Sequence, residues 1–580
     1  MTGVISSDQP AVRRRSPLQA EIRLMPGTPF YERQRDMDEF LLAQDPDSML
    51  YNFRKAAGLP TLGAAPMTGW DADECKLKGH TTGHYMSGLA LAYASTGDER
   101  FRSKLEYIVG GLRECRDAFA ASGRTAPGFV SAYDEEQFDL LEQFTKYPEI
   151  WAPYYTLDKI MAGLLDAYEL AGIEQAMDIL KPLGDWVWNR LSRLDDEVRS
   201  RMWAMYIAGE YGAMIGTMVR LYRHTGDPHH LAAAKLFDNP ALFEQMAAGR
   251  DELDTMHANQ HIPQIIGALE LYRETGDVRY YNIAENFECI VTGHHCYANG
   301  GTGEQERFHE ADREIGYLTD KTAESCASYN MLRLTSALAG YAEDNRLSQL
   351  MDYYENTLFN HILMSFSHHP DGGTTYFLPL ASGSTKYYER DENSCCHGTG
   401  METRYRLMTQ ICSYEDPADD GTPGMLLVNL PVSCRLNGDE QITVSFTEDG
   451  KLTVRADCDM KRKLAVRVPA WCRDRFPQAV NGYLQYDTRL RAGESVTLEL
   501  PMEVRQVPVE SDQTYSCLAW GPYLLAAVTS GGEFISAPDP DELREVPDKP
   551  GEFTAGDNAF RPLYRIDEEA YHIYMKACQQ

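Results

Sequence analysis

The sequence predicts two architectures in series: a toroid of helix hairpins, (α/α)6, followed by a β-sandwich region. Three observations predict it. A helix-ending signal recurs through the first part of the chain. After about Thr422 it gives way to short strand-like runs between Gly, Asp and Pro turns. A length of 580 residues is enough for a large core and more than one domain.

Taken in order, Leu18 to Leu24 alternates apolar and polar residues as a half-buried strand does. This segment (1–29) is expected to return and pair with the β region. From about Phe30 to Glu415 the pattern is helical. Tyr93-x3-Gly97, Tyr168-x3-Gly172, Tyr222-x3-Gly226 and Tyr272-x3-Gly276 each close an amphipathic segment, three of them reading Thr-Gly-Asp. Tyr341-x3-Asn345 reads as a fifth copy. Gly or Asn just past a helix end takes the left-handed conformation that closes it. Successive tyrosines lie 75, 54, 50 and 69 residues apart, room for two helices and their loops each. Hairpins at that spacing suggest a solenoid or closed ring, and a ring of six fits 30–420. Leu426–Val428, Ile442–Phe446, Leu452–Val454, Leu464–Val468, Ser495–Leu500 and Leu524–Val528 then form a strand series over 421–580. Pro538 to Gly551 reads as a surface loop, and a final strand is expected near Tyr571–Tyr574.

The net charge of −32 argues against nucleic acid or an anionic membrane as the main partner. It suits an enzyme acting on a neutral ligand, here a small carbohydrate or glycan side chain. There is no apolar run near the roughly 18 residues that span a bilayer. The N-terminal stretch to Pro17 carries three arginines but no hydrophobic segment. The 13 cysteines are scattered and odd in number, as in a reduced, cytoplasmic protein. A homo-oligomer is compatible with the sequence, which does not specify one.

Two stretches concentrate the chemistry. Glu324-Ser325-Cys326 stands at a helix start, since Met331, Leu334, Leu338 and Tyr341 recur on one face after it. Cys395-Cys396 stands in a glycine-loosened turn ahead of another helix. Together they supply three thiols and a carboxylate, a complete tetrahedral zinc set; taken singly, each stretch also reads as ordinary buried thiols. Gly300 to Phe308 is a glycine-rich connector ending in carboxylates. It has neither the Gly-Lys-Ser/Thr ending nor the preceding strand of a phosphate loop. Its charges are either simply solvated or place a general acid in the toroid mouth, with Glu306 best placed by context. His80 and His84 lie four apart at a helix entrance, a zinc-compatible spacing without the usual Glu after the first His. Bonding of sugar hydroxyls is the preferred reading, packing the alternative. His257-Ala258-Asn259-Gln260-His261 reads the same way. Trp70, Trp151, Tyr154 and Tyr155 are core aromatics or, for one or two of them, stacking platforms.

These residues resemble the β-L-arabinofuranosidase family, glycoside hydrolase family 127, and its relative family 146. The resemblance rests on Gly301…Glu306-Arg307-Phe308, Ala323-Glu324-Ser325-Cys326 and Cys395-Cys396-x-Gly398-Thr399-Gly400-Met401-Glu402. It extends through Gly79-His80…Gly83-His84-Tyr85, Trp151 to Leu157, His257-Ala258-Asn259, Val466 to Trp471 and Asn481-Gly482, nearly the whole chain. It implies an (α/α)6 barrel with β-sandwich modules and a zinc held by Glu324, Cys326, Cys395 and Cys396. It also implies Cys395 as nucleophile and Glu306 as acid/base; the sugar contacts expected from the residues themselves are His80, His84, His257 and Tyr155. Two positions depart from the pattern: Asp158 stands where many relatives have His, and His397 where a small residue is common.

Retaining glycosidases place nucleophile and acid/base about 5 Å apart. On that scheme a zinc-held Cys395 thiolate attacks the anomeric carbon while Glu306 protonates the departing oxygen. Glu306 then activates water to release the thioether. A carboxyl group beside so anionic a cluster is expected to stay protonated. Two competing classes are a toroid glycosidase or lyase on another sugar with a purely structural zinc, and a non-catalytic carbohydrate-binding protein. An unsaturated, ultraviolet-absorbing product marks the lyase, and binding without turnover marks the binding protein.

Overall fold

A computed structural model describes residues 10–417 and 423–577. Six helices form an inner ring: α1 (His80–Thr96), α2 (Pro153–Ala171), α3 (Ala213–Thr225), α4 (Ala258–Thr275), α5 (Ser325–Ala339) and α6 (Cys395–Arg406). Each packs on the next, and α6 packs back on α1, closing the ring. Six helices lie outside. Glu99–Ser122, Gln175–Leu191, Pro228–Lys235, Val278–His294 and Asp344–Thr357 back α1 to α5, and Pro29–Ala43 backs α6. This is the (α/α)6 toroid.

The inner helices are buried nearly all round, so their sequences lack a polar face. In α1 nearly every side chain is buried. Where α1 meets α2 the backbones touch. A Cβ on Gly83 would lie 2.2 Å from the Lys159 carbonyl carbon, and one on Gly163 2.5 Å from the Gly83 oxygen.

Gly97, Gly172, Gly226 and Gly276 all adopt positive φ and end their helices. Asp98, Asp227 and Asp277 then cap the next helix, each accepting from the backbone N–H two residues on. Thr-Gly-Asp is therefore a stop and a start in three residues. The fifth copy is not one. Helix α5 closes at Gly340, ahead of Tyr341, and Asn345 already lies inside the outer helix Asp344–Thr357.

The helical territory also ends earlier than Glu415. Cys412–Glu415 is a strand paired with Met425–Val428. The boundary expected at 420–421 falls on residues 418–422, outside the described ones. The early strand is shorter than 18–24, because Gln19–Glu21 forms a 3-10 turn. Ile22–Leu24 pairs antiparallel with Cys434–Leu436 at the edge of a five-stranded sheet. A four-stranded and an eight-stranded sheet complete the β region. The stretch from Pro538 contains a short 3-10 turn and a two-residue strand, Arg544–Glu545, and Tyr571–His572 pairs with Ala527–Val528. Barrel and β region are locked by polar contacts. Fully buried Arg467 pairs with Asp352 at 2.5 Å and with Glu355 of the fifth outer helix. Asn360 donates to the Pro522 carbonyl at 2.8 Å and accepts from Leu524 N–H at 2.7 Å. Among the described residues, no helix is long and apolar enough to cross a membrane.

Candidate active site

All six inner helices begin at the same end of the ring. A cavity of about 550 Å³ there is lined by Leu77, Tyr155, Glu210, His257, Glu324 and Cys395, one residue from the entrance of each helix. Helix N-termini carry partial positive charge and unpaired N–H groups, so this mouth favours anionic side chains. The chain reaches it through sparsely populated conformations. Gly79, Ala152, Ala323 and Asn393 have positive φ at or just before four of the entrances. Gln305 and Glu306 do so in the connector, with φ of 47° and 69°. Strain of this kind in non-glycine residues concentrates at functional sites.

Glu324 is the N-cap residue of α5, and Cys326 lies one turn position inside it. Cys395 and Cys396 are the first two residues of α6, capped by Ser394, and not part of a turn ahead of it. Gly398 and Gly400 are helical, and they serve close packing instead of loosening. A Cβ on Gly398 would stand 2.3 Å from the His84 ring, and one on Gly400 2.3 Å from Thr374 Oγ1. The four donor groups converge within 4.8 Å of one another, all buried. Cys395 Sγ and Cys396 Sγ each lie 3.8 Å from Glu324 Oε1 and 3.9 Å from each other. Cys326 Sγ lies 3.1 Å from Thr399 Oγ1. Burial, with the Cys395 sulfur adding to it, holds the Glu324 carboxyl well above its usual range. Burial likewise pushes the Cys396 thiol up. The Glu324 Oε2 atom is buried with no protein partner. So many acidic groups cannot ionise together without a cation, and the set fits a metal ion. Cys395 faces the cavity at 7 % exposure, whereas Cys396 is fully buried.

Glu306 reaches the mouth from the connector. The Tyr376 hydroxyl donates to Glu306 Oε1 and lies 3.6 Å from Cys395 Sγ. His257 Nδ1 accepts from Gln260 N–H, so its Nε2 carries the proton and faces Glu306 Oε2 at 3.4 Å. Burial would raise the Glu306 carboxyl, but the hydrogen bonds from His257 and Tyr376 outweigh it and bring it below its usual value. These two donors favour its ionised form, against the anionic cluster, which was expected to favour the protonated one. Glu304 turns aside, with Oε1 accepting from Thr319 Oγ1 at 3.1 Å.

The other expected contacts divide. Tyr155 and His257 line the cavity, and the buried Tyr155 hydroxyl has no protein partner. His80 is fully buried behind Tyr155, its ring 5.5 Å away. Asp71 Oδ2 lies 3.1 Å from its Nδ1, and its Nε2 is unpartnered. His84 does not line the mouth. Its Nδ1 donates to Glu402 Oε1 at 2.7 Å, and it borders a separate interior cavity of about 90 Å³. Trp70 and Trp151 line the mouth, 5.1 Å apart, while Tyr154 packs into the core against Phe138. His397 is buried against Phe40, and burial pushes its pKa down to about 4.

Two residues of the mouth had no motif to announce them. Tyr376 is a single tyrosine between short strands. Glu210 stands just before α3, as His257 and Glu324 stand at α4 and α5, and that shared position was the available signal. Glu210 Oε1 accepts from Lys159 Nζ at 3.1 Å and its Oε2 from Asn259 Nδ2 at 2.9 Å. Lys159 also donates to Asp158 at 3.1 Å, so Asp158 belongs to a buried ion-pair floor under the mouth.

The model of the β-L-arabinofuranosidase catalytic domain of glycoside hydrolase family 127 matches residues 21–408. The chain belongs to glycoside hydrolase family 127. It is accordingly a glycoside hydrolase acting on carbohydrate. Among solved structures, the family-127 fold is shared with a β-arabinofuranosidase at 15 % identity and a TM-score of 0.72, covering 98 % of this chain and 99 % of that one. It is also shared with a β-L-arabinofuranosidase from Geobacillus stearothermophilus T6 at 15 % identity and a TM-score of 0.70, covering 96 % and 100 %. No curated protein matches the chain.

Proposed function

We propose that this family-127 enzyme is a retaining, exo-acting β-L-arabinofuranosidase, with Cys395 as nucleophile and Glu306 as acid/base. The observation that carries the reading is the Tyr376 hydroxyl, which meets both Glu306 Oε1 and Cys395 Sγ. Two atoms on one hydroxyl oxygen lie within about 6 Å of each other. That agrees with the roughly 5 Å separation of a retaining pair and leaves no room for the water of an inverting one.

Glu324, Cys326, Cys395 and Cys396 would hold zinc. Around an ion bound at about 2.3 Å the edge of a tetrahedron is about 3.8 Å, in keeping with the sulfur–sulfur and sulfur–oxygen separations given above. Bound there, zinc supplies a charge that keeps Cys395 as thiolate and stabilises it again on departure. The chain's own groups do the rest. Cys395 Sγ attacks the anomeric carbon as the C–O bond breaks, and Glu306 gives its proton to the leaving oxygen. Glu306, now ionised and held by His257 and Tyr376, takes a proton from water. The water oxygen bonds to the anomeric carbon as the thioether C–S bond breaks. Tyr155 Oη offers a hydrogen bond to a sugar hydroxyl and Glu210 a fixed acceptor, while His257 holds Glu306 and His80 packs behind Tyr155. His84 acts at one remove, through Glu402.

Covalent trapping tests the assignment. A cyclitol epoxide of β-L-arabinofuranose configuration should label Cys395, found by peptide mass mapping, and leave Cys396 unmodified. Label on Glu324 would replace the thioether with a carboxylate nucleophile and overturn the mechanism.

A further inference from the structure

Thr399 lies three residues after Cys396 on α6, on the same helix face, and its hydroxyl reaches across to α5, where Oγ1 stands 3.1 Å from Cys326 Sγ. Both residues are buried. Thr399 borders the interior cavity of about 90 Å³ and not the mouth, and Cys326 is likewise no part of the mouth's lining. The contact therefore lies on the side of the cluster turned away from the sugar. We propose that Thr399 is a positioning residue of the metal cluster: its hydroxyl donates to the Cys326 sulfur and makes Cys326 the weakest of the three sulfur donors to a bound metal ion. The inference rests on the metal site and nucleophile proposed above, and gives a part to a residue that touches neither sugar nor metal.

The direction of the bond follows from what a metal ligand can do. A sulfur bound to a metal ion has no proton to give, so the hydroxyl must be the donor. Its other acceptor is the Cys396 carbonyl on its own helix at 3.3 Å, an ordinary bond for a helical threonine. Sulfur is the larger atom, so 3.1 Å to it is the closer contact of the two. The three sulfurs differ in this respect. Cys395 Sγ lies 3.6 Å from the Tyr376 hydroxyl, whose proton goes to Glu306. Cys396 Sγ lies 3.8 Å from the Tyr376 carbonyl, which only accepts.

Three thiolates and a carboxylate carry more negative charge than one divalent ion cancels, and they carry it in a buried place. A hydroxyl donor shares that excess, as the partners behind metal ligands do. Charge drawn toward Thr399 is charge that Cys326 does not give the metal ion. The ion is left more electron-poor. It then holds the Cys395 sulfur more firmly when the thioether C–S bond breaks and that sulfur takes back the electron pair.

The test uses the full-length protein loaded with cobalt(II) in place of zinc, whose sulfur-to-metal charge-transfer band reports on the thiolates directly. Thr399→Val keeps the shape and removes the donor, and Thr399→Ser keeps the donor. Thr399→Ala removes the donor without adding bulk, should Thr399→Val not fold. Expected in Thr399→Val and Thr399→Ala is a band at lower energy, because a thiolate without its hydrogen bond gives up an electron more readily. Zinc affinity against a competing chelator should fall about 10–100-fold in both and stay within about twofold in Thr399→Ser. On an activated aryl β-L-arabinofuranoside, kcat, which reports release of the thioether, should fall while kcat/KM holds. A band and an affinity unchanged in Thr399→Val and Thr399→Ala overturn the proposal. So does Thr399→Ser if it is as impaired as they are, since the contact is then one of packing. Equal falls in kcat and kcat/KM overturn the link to Cys395. A wild-type protein that shows no sulfur-to-cobalt band overturns the metal site itself, and this inference falls with it.

Discussion

Glu306 works between two donors, and its protonation follows from them. Glu306→Gln keeps the shape and loses the proton transfer. Turnover of glycosides with poor leaving groups should fall about 10²–10⁴-fold, with less loss in the first step for activated aryl leaving groups. Glu304→Gln, which alters a side chain bonded to Thr319 outside the mouth, should change steady-state rates little. On the proposed mechanism the first step requires Glu306 protonated, so activity should fall as the pH rises through its pKa. Tyr376→Phe removes a hydrogen bond that favours the ionised form, so that pKa must rise. The alkaline limb of kcat/KM should therefore move to higher pH in Tyr376→Phe, and an acidward move would show that Tyr376 does not hold the carboxylate. At this scale the Glu324, Cys326, Cys395 and Cys396 cluster was readable because its donors come as short runs, Glu-x-Cys and Cys-Cys. Tyr376 was not, because a lone tyrosine reaching in from a loop leaves no pattern of spacing. His84 illustrates the converse: a suggestive i, i+4 spacing on α1 puts one ring behind the mouth and the next a turn deeper, bonded to Glu402.

The four groups that could hold a metal come in pairs from adjacent inner helices, two from α5 and two from α6, so an ion bound there would staple the ring. Chelation should release about one zinc per chain and lower the thermal midpoint along with activity, and zinc should restore both. Retention of full activity without metal would remove the cluster from the mechanism. The α1–α2 contact depends on absent side chains in the same way that this joint depends on present ones. Gly83→Ala drives a methyl into the Lys159 backbone, which cannot swing aside as a side chain does. The cost should be about 2–3 kcal/mol, read as a lower thermal midpoint with the zinc content unchanged. Helix stops were legible because Thr-Gly-Asp satisfies two helix ends with local hydrogen bonds. The false fifth copy shows the limit of that logic: Gly340 closes α5 without the motif. The glycines of α6 show another limit, since the same residue that loosens a turn also lets a helix lie against His84.

For the molecule as a whole, the toroid and the β region were readable from periodicity, and the closure of the ring was not. No local pattern says that α6 returns to α1, because that contact joins residues far apart in sequence. The pairing of Ile22–Leu24 with Cys434–Leu436 is of the same kind, and it has a consequence in time. Ile22 and Leu436 are 436 − 22 = 414 residues apart. At a synthesis rate of about 5–20 residues per second, the first strand waits tens of seconds for its partner. The inner helices from His80 to Arg406 are made in that interval. The edge strand of the five-stranded sheet is thus made before the barrel helices, and the partner it pairs with after them.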